Sequence, residues 1–79
     1  MDAEHLVEMV NDISNFFAPA HPPAQAAAEV AAHVRRTWDP RMRRAIVETW
    51  RAGEGEFGDV GRAAIALLAA ADPAVNAVK

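Results

Sequence analysis

Near the middle of a chain otherwise patterned for helix stands Asp39-Pro40, and no other feature restricts the fold as much. A carboxylate before a proline before a periodic apolar run is how a helix begins. The acid caps free backbone N–H groups, and proline at the first position has no N–H to lose. Asp39 is therefore the expected N-cap of a new helix, and Trp38 must end or follow the one before it, so two helices meet at a sharp corner. Similar punctuation divides the rest of the chain. Pro19, Pro22 and Pro23 stop a first helix, Gly53 to Gly58 form a loop, and Asp72-Pro73 stops a last helix.

Between these breaks the apolar residues recur at three- and four-residue spacing. Helix one is expected from about Asp2 to Phe17 with Leu6, Met9, Val10, Ile13, Phe16 and Phe17 as its stripe, and Glu4, Glu8, Asp12 and Asn15 on the opposite face. One of the adjacent pair Phe16 and Phe17 must point away from the centre of that stripe. Helix two runs from about Pro23 to Thr37 on Ala27, Val30, Ala31 and Val34, and helix three from Pro40 to about Ala52 on Met42, Ala45, Ile46, Thr49 and Trp50. Helix four, capped by Gly58 or Asp59, uses Val60, Ala64, Leu67, Leu68 and Ala71, and residues 72–79 are expected as a frayed tail. The reading is all-α: a single domain, 1–79, built as a small bundle of about four short helices, with no strand or internal repeat.

The core will be thin. Of 41 hydrophobic residues 19 are alanine, and alanine contributes little burial at about 0.8 kcal/mol per buried CH₂. A chain of 79 residues with so few large apolar side chains is better suited to be a subunit than an enzyme, and its free form can self-associate through the surface meant for its partner. There is no cysteine, which excludes disulfides, thiol nucleophiles, iron–sulfur ligation and cysteine-based zinc sites. The acidic start Met1-Asp2-Ala3-Glu4-His5 does not resemble a signal peptide, and no apolar run approaches the roughly 20 residues of a membrane span, so a cytoplasmic protein is expected.

Charge is unevenly spread. Residues 1–29 hold five acids and no Lys or Arg, whereas residues 33–53 hold six arginines against Asp39 and Glu48. Arg41, Arg43 and Arg44 crowd the first turns of helix three, where the helix dipole favours acids and each arginine costs about 0.3–1 kcal/mol if nothing anionic faces it. Arg35 and Arg36 finish the preceding helix, so guanidinium groups converge on the corner. Three readings are open. The corner is a solvated basic face whose stems cover apolar surface, or a nucleic-acid surface, which an acidic chain disfavours. Alternatively it docks against protein carboxylates or an anionic cofactor. Trp38, beside the proline, is the expected exposed anchor, and Trp50, on the apolar stripe, the expected core residue.

No catalytic arrangement is legible. Ser-His-Asp, HExxH and phosphate-cradling glycine patterns are missing, and His5, His21 and His33 are far apart in sequence. His5 is expected as a solvated helix residue and His21 as a loop residue. His33, three residues before Arg36, either lines the corner or makes a structural hydrogen bond. The candidate partner-binding set is therefore His33, Arg36, Trp38, Pro40, Arg41, Met42, Arg43 and Arg44, with Asp39 as helix cap and no catalytic or metal-binding residue.

The order of these features resembles a known family, the small delta subunit of cytoplasmic, NAD-dependent, molybdenum-containing formate dehydrogenases. The resemblance is carried by Leu6-Val7-x-Met9-Val10-Asn11-x-Ile13-x-x-Phe16-Phe17, a Pro/Ala-rich connector, Val30-Ala31-x-His33, and above all Trp38-Asp39-Pro40-Arg41-Met42-Arg43, followed by the glycine loop and last helix from Gly53 to Ala71. It implies a non-catalytic accessory subunit that docks on the large catalytic subunit and supports assembly, stability or cofactor insertion, with a cofactor-insertion chaperone as a further partner. The bis-pterin molybdenum cofactor, iron–sulfur clusters, FMN and NAD would reside on other subunits, with none bound tightly by this chain alone. The alternatives are a cofactor-handling protein that grips pterin dinucleotide phosphates through the arginines, and a small helical DNA-binding regulator.

Overall fold

The computed structural model describes residues 2–76, and residues 77–79 of the expected tail lie outside it. Its helices are α1 (Ala3–Phe17), α2 (Pro23–Thr37), α3 (Pro40–Arg51), α4 (Asp59–Ala71) and a single turn, α5 (Pro73–Asn76), with a 3-10 turn at Ala18–Ala20 joining α1 to α2. Asp2 caps α1 by accepting from Glu4 N at 3.1 Å, and Asp39 caps α3 by accepting from Met42 N at 3.0 Å. Pro23 and Pro40 each open a helix, as expected of proline in a first turn. Every helix expected between residues 2 and 71 is present, and no strand interrupts the described residues.

The core gathers Val10, Val30, Val34, Ile46, Val47, Ile65 and Leu68, all essentially inaccessible to solvent. α4 packs most extensively on α2, through the small side chains that let two backbones approach. α1 crosses α4 closely at Gly61, where a Cβ atom would meet Val10 Cγ1 at 3.1 Å and Asn11 Oδ1 and Ser14 Oγ at 3.3 Å.

Some expected stripes are rotated. In α1 the inward side is Leu6, Val7, Val10 and Ser14, with Ser14 Oγ donating to Val10 O at 2.7 Å, while Met9, Ile13 and Phe17 pack on its margin. Phe16 is the member of the phenylalanine pair that points outward. In α4 the expected core residue Leu67 is 44% exposed, and Ile65 takes its place. Ala26 joins Ala27, Val30 and Val34 on the buried face of α2, and Val47 joins Ile46 in α3.

The Gly53–Gly58 loop is tightly specified. Gly53, at φ 75°, ends α3 in a left-handed residue, with Gly53 N donating to Trp50 O at 3.0 Å and Glu54 N to Thr49 O at 3.0 Å. The Asn11 amide then fastens the loop to α1: its Nδ2 donates to Glu56 O at 2.9 Å and its Oδ1 accepts from Gly58 N at 3.0 Å. Phe57, between these two bonds, is driven into the core.

The two left-handed glycines should respond differently to alanine. At Gly55, φ 87°, an added Cβ lies 2.9 Å from Val7 Cγ2, whereas at Gly53 it meets nothing within 4 Å. Gly53→Ala should therefore cost about 1–2 kcal/mol of backbone strain alone, and Gly55→Ala clearly more, measured by urea denaturation. Equal losses would show that the Val7 contact relaxes freely.

Candidate functional site: the arginine corner

The corner between α2 and α3 consists of two extended residues, Trp38 (φ −92°, ψ 142°) and Asp39 (φ −74°, ψ 165°). Trp38 N still donates to Val34 O at 2.9 Å, so α2 ends cleanly and the chain turns at once into the Asp39 cap. The expectation of an exposed Trp38 is overturned. Its ring is 5% exposed and belongs to the core, because the extended backbone that breaks α2 also swings this side chain under the bundle. Trp50 is half-buried against the same core.

Arg43 is corrected in the same way. Its side chain turns inward and keeps only 14% of its surface. Nη1 donates to Trp38 O at 2.6 Å and to Arg35 O at 3.2 Å, carbonyls at and just before the end of α2 that the helix itself leaves without partners. Nε lies 2.5 Å from Asp72 Oδ2, and the side chain of Asp72 is 2% exposed. Neither of these two atoms has another hydrogen-bond partner, so each depends on the other.

Asp72 also carries the junction between the last two helices. Its N–H donates to Leu68 O at 2.9 Å, and its Oδ1 accepts from Ala74 N at 2.9 Å, capping α5. The segment from residue 72, expected as a loose tail, thus begins with a buried carboxylate and a helical turn whose Val75 is buried in the core. Arginine in the first turn of α3 is unfavourable for that helix. For Arg43 the compensating anion is in the chain itself.

The outward-facing groups at the corner are Arg35, Arg36, Arg41 and Arg44, with Pro40 exposed among them. Met42 is half-buried and packs on the core, so it offers an edge and not a protruding anchor. Arg35 and Arg36 sit favourably in the last turn of α2. Asp39 already accepts the Met42 N–H, which places a negative carboxylate where a bound anion would otherwise find free donors.

The His33 ring packs toward α1. It stands edge-on to Phe17, centroids 6.1 Å apart, and Phe17 lies 6.2 Å from the His21 ring. These rings join the end of α1 to α2 across the proline connector. The hydrogen bond at residue 33 is made by its backbone carbonyl, which accepts from Thr37 Oγ1 at 2.8 Å. Sequence reasoning also missed Asp72 as a corner residue. The signal was present, since Asp72-Pro73 repeats the Asp39-Pro40 pattern and starts a helix as well as ending one.

Among the described residues no cluster of His, Asp or Glu has the makings of a metal site, and no helix is long and apolar enough to cross a membrane. The fold and corner define a small all-α domain that presents a cationic edge on a helix junction held from within. The model of the NADH-dependent formate dehydrogenase delta subunit family, FdsD, matches residues 5–65, and the chain belongs to that family. No curated protein and no solved structure matches the chain.

Removing one partner of the buried pair should be costly. Asp72→Ala strands the Arg43 charge and is expected to destabilise the domain by about 3–5 kcal/mol, a fall of roughly 10 °C or more in the thermal midpoint for a domain this size. The double variant Arg43→Met with Asp72→Ala should recover a large part of that loss. A single variant within 1 °C of the parent would show that the pair contributes nothing.

Proposed function

We propose that this chain is a non-catalytic accessory subunit of a molybdenum-dependent, NAD-linked formate dehydrogenase. It docks on the large catalytic subunit and supports assembly, stability or cofactor insertion. Family membership supplies the complex. The observation that carries the docking role is the set of four exposed arginines, Arg35, Arg36, Arg41 and Arg44, at a corner whose backbone is fixed from inside. Cations held on a rigid junction meet a carboxylate surface with little loss of freedom, and their charge speeds encounter with it.

The alternative target, the phosphates of a pterin dinucleotide, has less support. Arg43, whose side chain is turned inward, is committed to Asp72, and the Asp39 carboxylate occupies the start of α3. The same commitment weakens the nucleic-acid reading by removing a cation from the helix that would enter a groove.

Arg41 and Arg44 provide a test in which binding and stability move in opposite directions. Changing both to Glu puts acids in the opening turns of α3, which should leave its stability unchanged or raise it by about 0.3–1 kcal/mol. The same change should weaken binding to the large subunit at least tenfold and abolish its salt sensitivity, read by co-purification and by titration at two ionic strengths. Undiminished stoichiometric binding would rule out the corner as the docking surface.

A further inference from the structure

The charged corner leaves one large apolar feature without a role. Phe16 is 77% exposed, the most exposed large hydrophobic residue among the described residues. It stands edge-on to Phe17 with centroids 5.1 Å apart, which braces the ring while leaving its outer face open. Met9 and Ile13 precede it at spacings that put all three on one side of α1, and both are only partly buried. They form a ridge about 10 Å long at the helical rise of 1.5 Å per residue.

Its surroundings are acidic. Asp12 lies three residues after Met9 and four before Phe16, so it flanks both, and Glu8 is one turn before Asp12; both acids are exposed. From residue 2 to residue 34 there is neither Lys nor Arg. A carboxylate-rich surface that suits the arginine corner would be repelled here. A second copy of the chain placed ridge to ridge would bring Glu8 and Asp12 of each molecule against those of the other. A segment that is apolar in its centre and cationic at its rim satisfies both the ridge and the acids.

We propose that the Met9, Ile13 and Phe16 edge of α1 is a second docking surface, which takes an apolar segment rimmed by Lys or Arg on another subunit of the complex. It goes beyond the corner reading and relies on family membership only for the complex in which it is tested. With an acidic ridge and a basic corner on one small domain, the chain bridges two surfaces of opposite charge.

The test places photoreactive p-benzoylphenylalanine at Phe16, and separately at Arg44, in the complex purified with this chain. The expected result is an adduct from position 16 on a segment of another subunit in which Lys and Arg outnumber Asp and Glu, distinct from the adduct formed at position 44. Phe16→Ser should weaken association with the rest of the complex about tenfold while leaving the unfolding midpoint nearly unchanged, because the ring is exposed. Asp12→Lys should weaken it as well. No adduct at position 16 alongside one at position 44, an adduct on an acidic segment, or an adduct on a second copy of this chain would overturn the proposal. An adduct of the expected kind at position 16 with none at position 44 would instead remove the corner reading and leave this one standing.

Discussion

The fold depends on one buried carboxylate. Asp72 ends α4, caps α5 and holds Arg43 of α3, and through Arg43 it reaches the carbonyls that finish α2. Four helices meet at that node. A core made largely of alanine and valine specifies little by shape alone, since small side chains interlock in many ways. A charge pair that must be satisfied in one place fixes the relative position of the helices around it. Breaking such a pair is far more damaging than its net contribution would suggest, because the survivor remains buried and uncompensated.

This arrangement separates two kinds of arginine that look alike in sequence. Arg43 is structural and its neighbours Arg41 and Arg44 are free to face outward, a distinction set by position on the helix. Arg43 falls on the same side of α3 as the buried Ile46 and Val47, whereas Arg41 and Arg44 project from the other side.

Helix boundaries were legible because their signals are local. Asp39 caps α3 through a bond three residues away, and the prolines act through their own rings. The approximate face of each helix was legible too, with one stripe member displaced by two residues in each of two helices: Val7 for Met9 in α1, Ile65 for Leu67 in α4. What local pattern does not carry is the identity of the partner across the fold. Trp38 looked like an anchor because corners are usually exposed, but the extended backbone at residues 38 and 39 turns that ring inward. Arg43 looked like a partner-binding group because its counter-ion, Asp72, lies far along the sequence at the junction of α4 and α5. His33 was associated with Arg36 by sequence proximity, yet its ring packs on Phe17 from α1. The candidate site was thus legible as a concentration of charge, and not as a division between the side chains that build it and those that face outward.

The Arg43–Asp72 contact also has a consequence for the order in which the chain takes shape. Synthesis proceeds from the N-terminus, and Arg43 is complete long before Asp72 leaves the ribosome. Until then Arg43 has no buried counter-charge, the arginines of α2 and α3 are offset only by Glu29, Asp39 and Glu48, and Trp38 lacks the later helices of the core it joins. The nascent corner is therefore both more cationic and more apolar than the finished one. It reaches its mature surface only when the last helix closes over it, so timing, as well as composition, determines what that surface can meet.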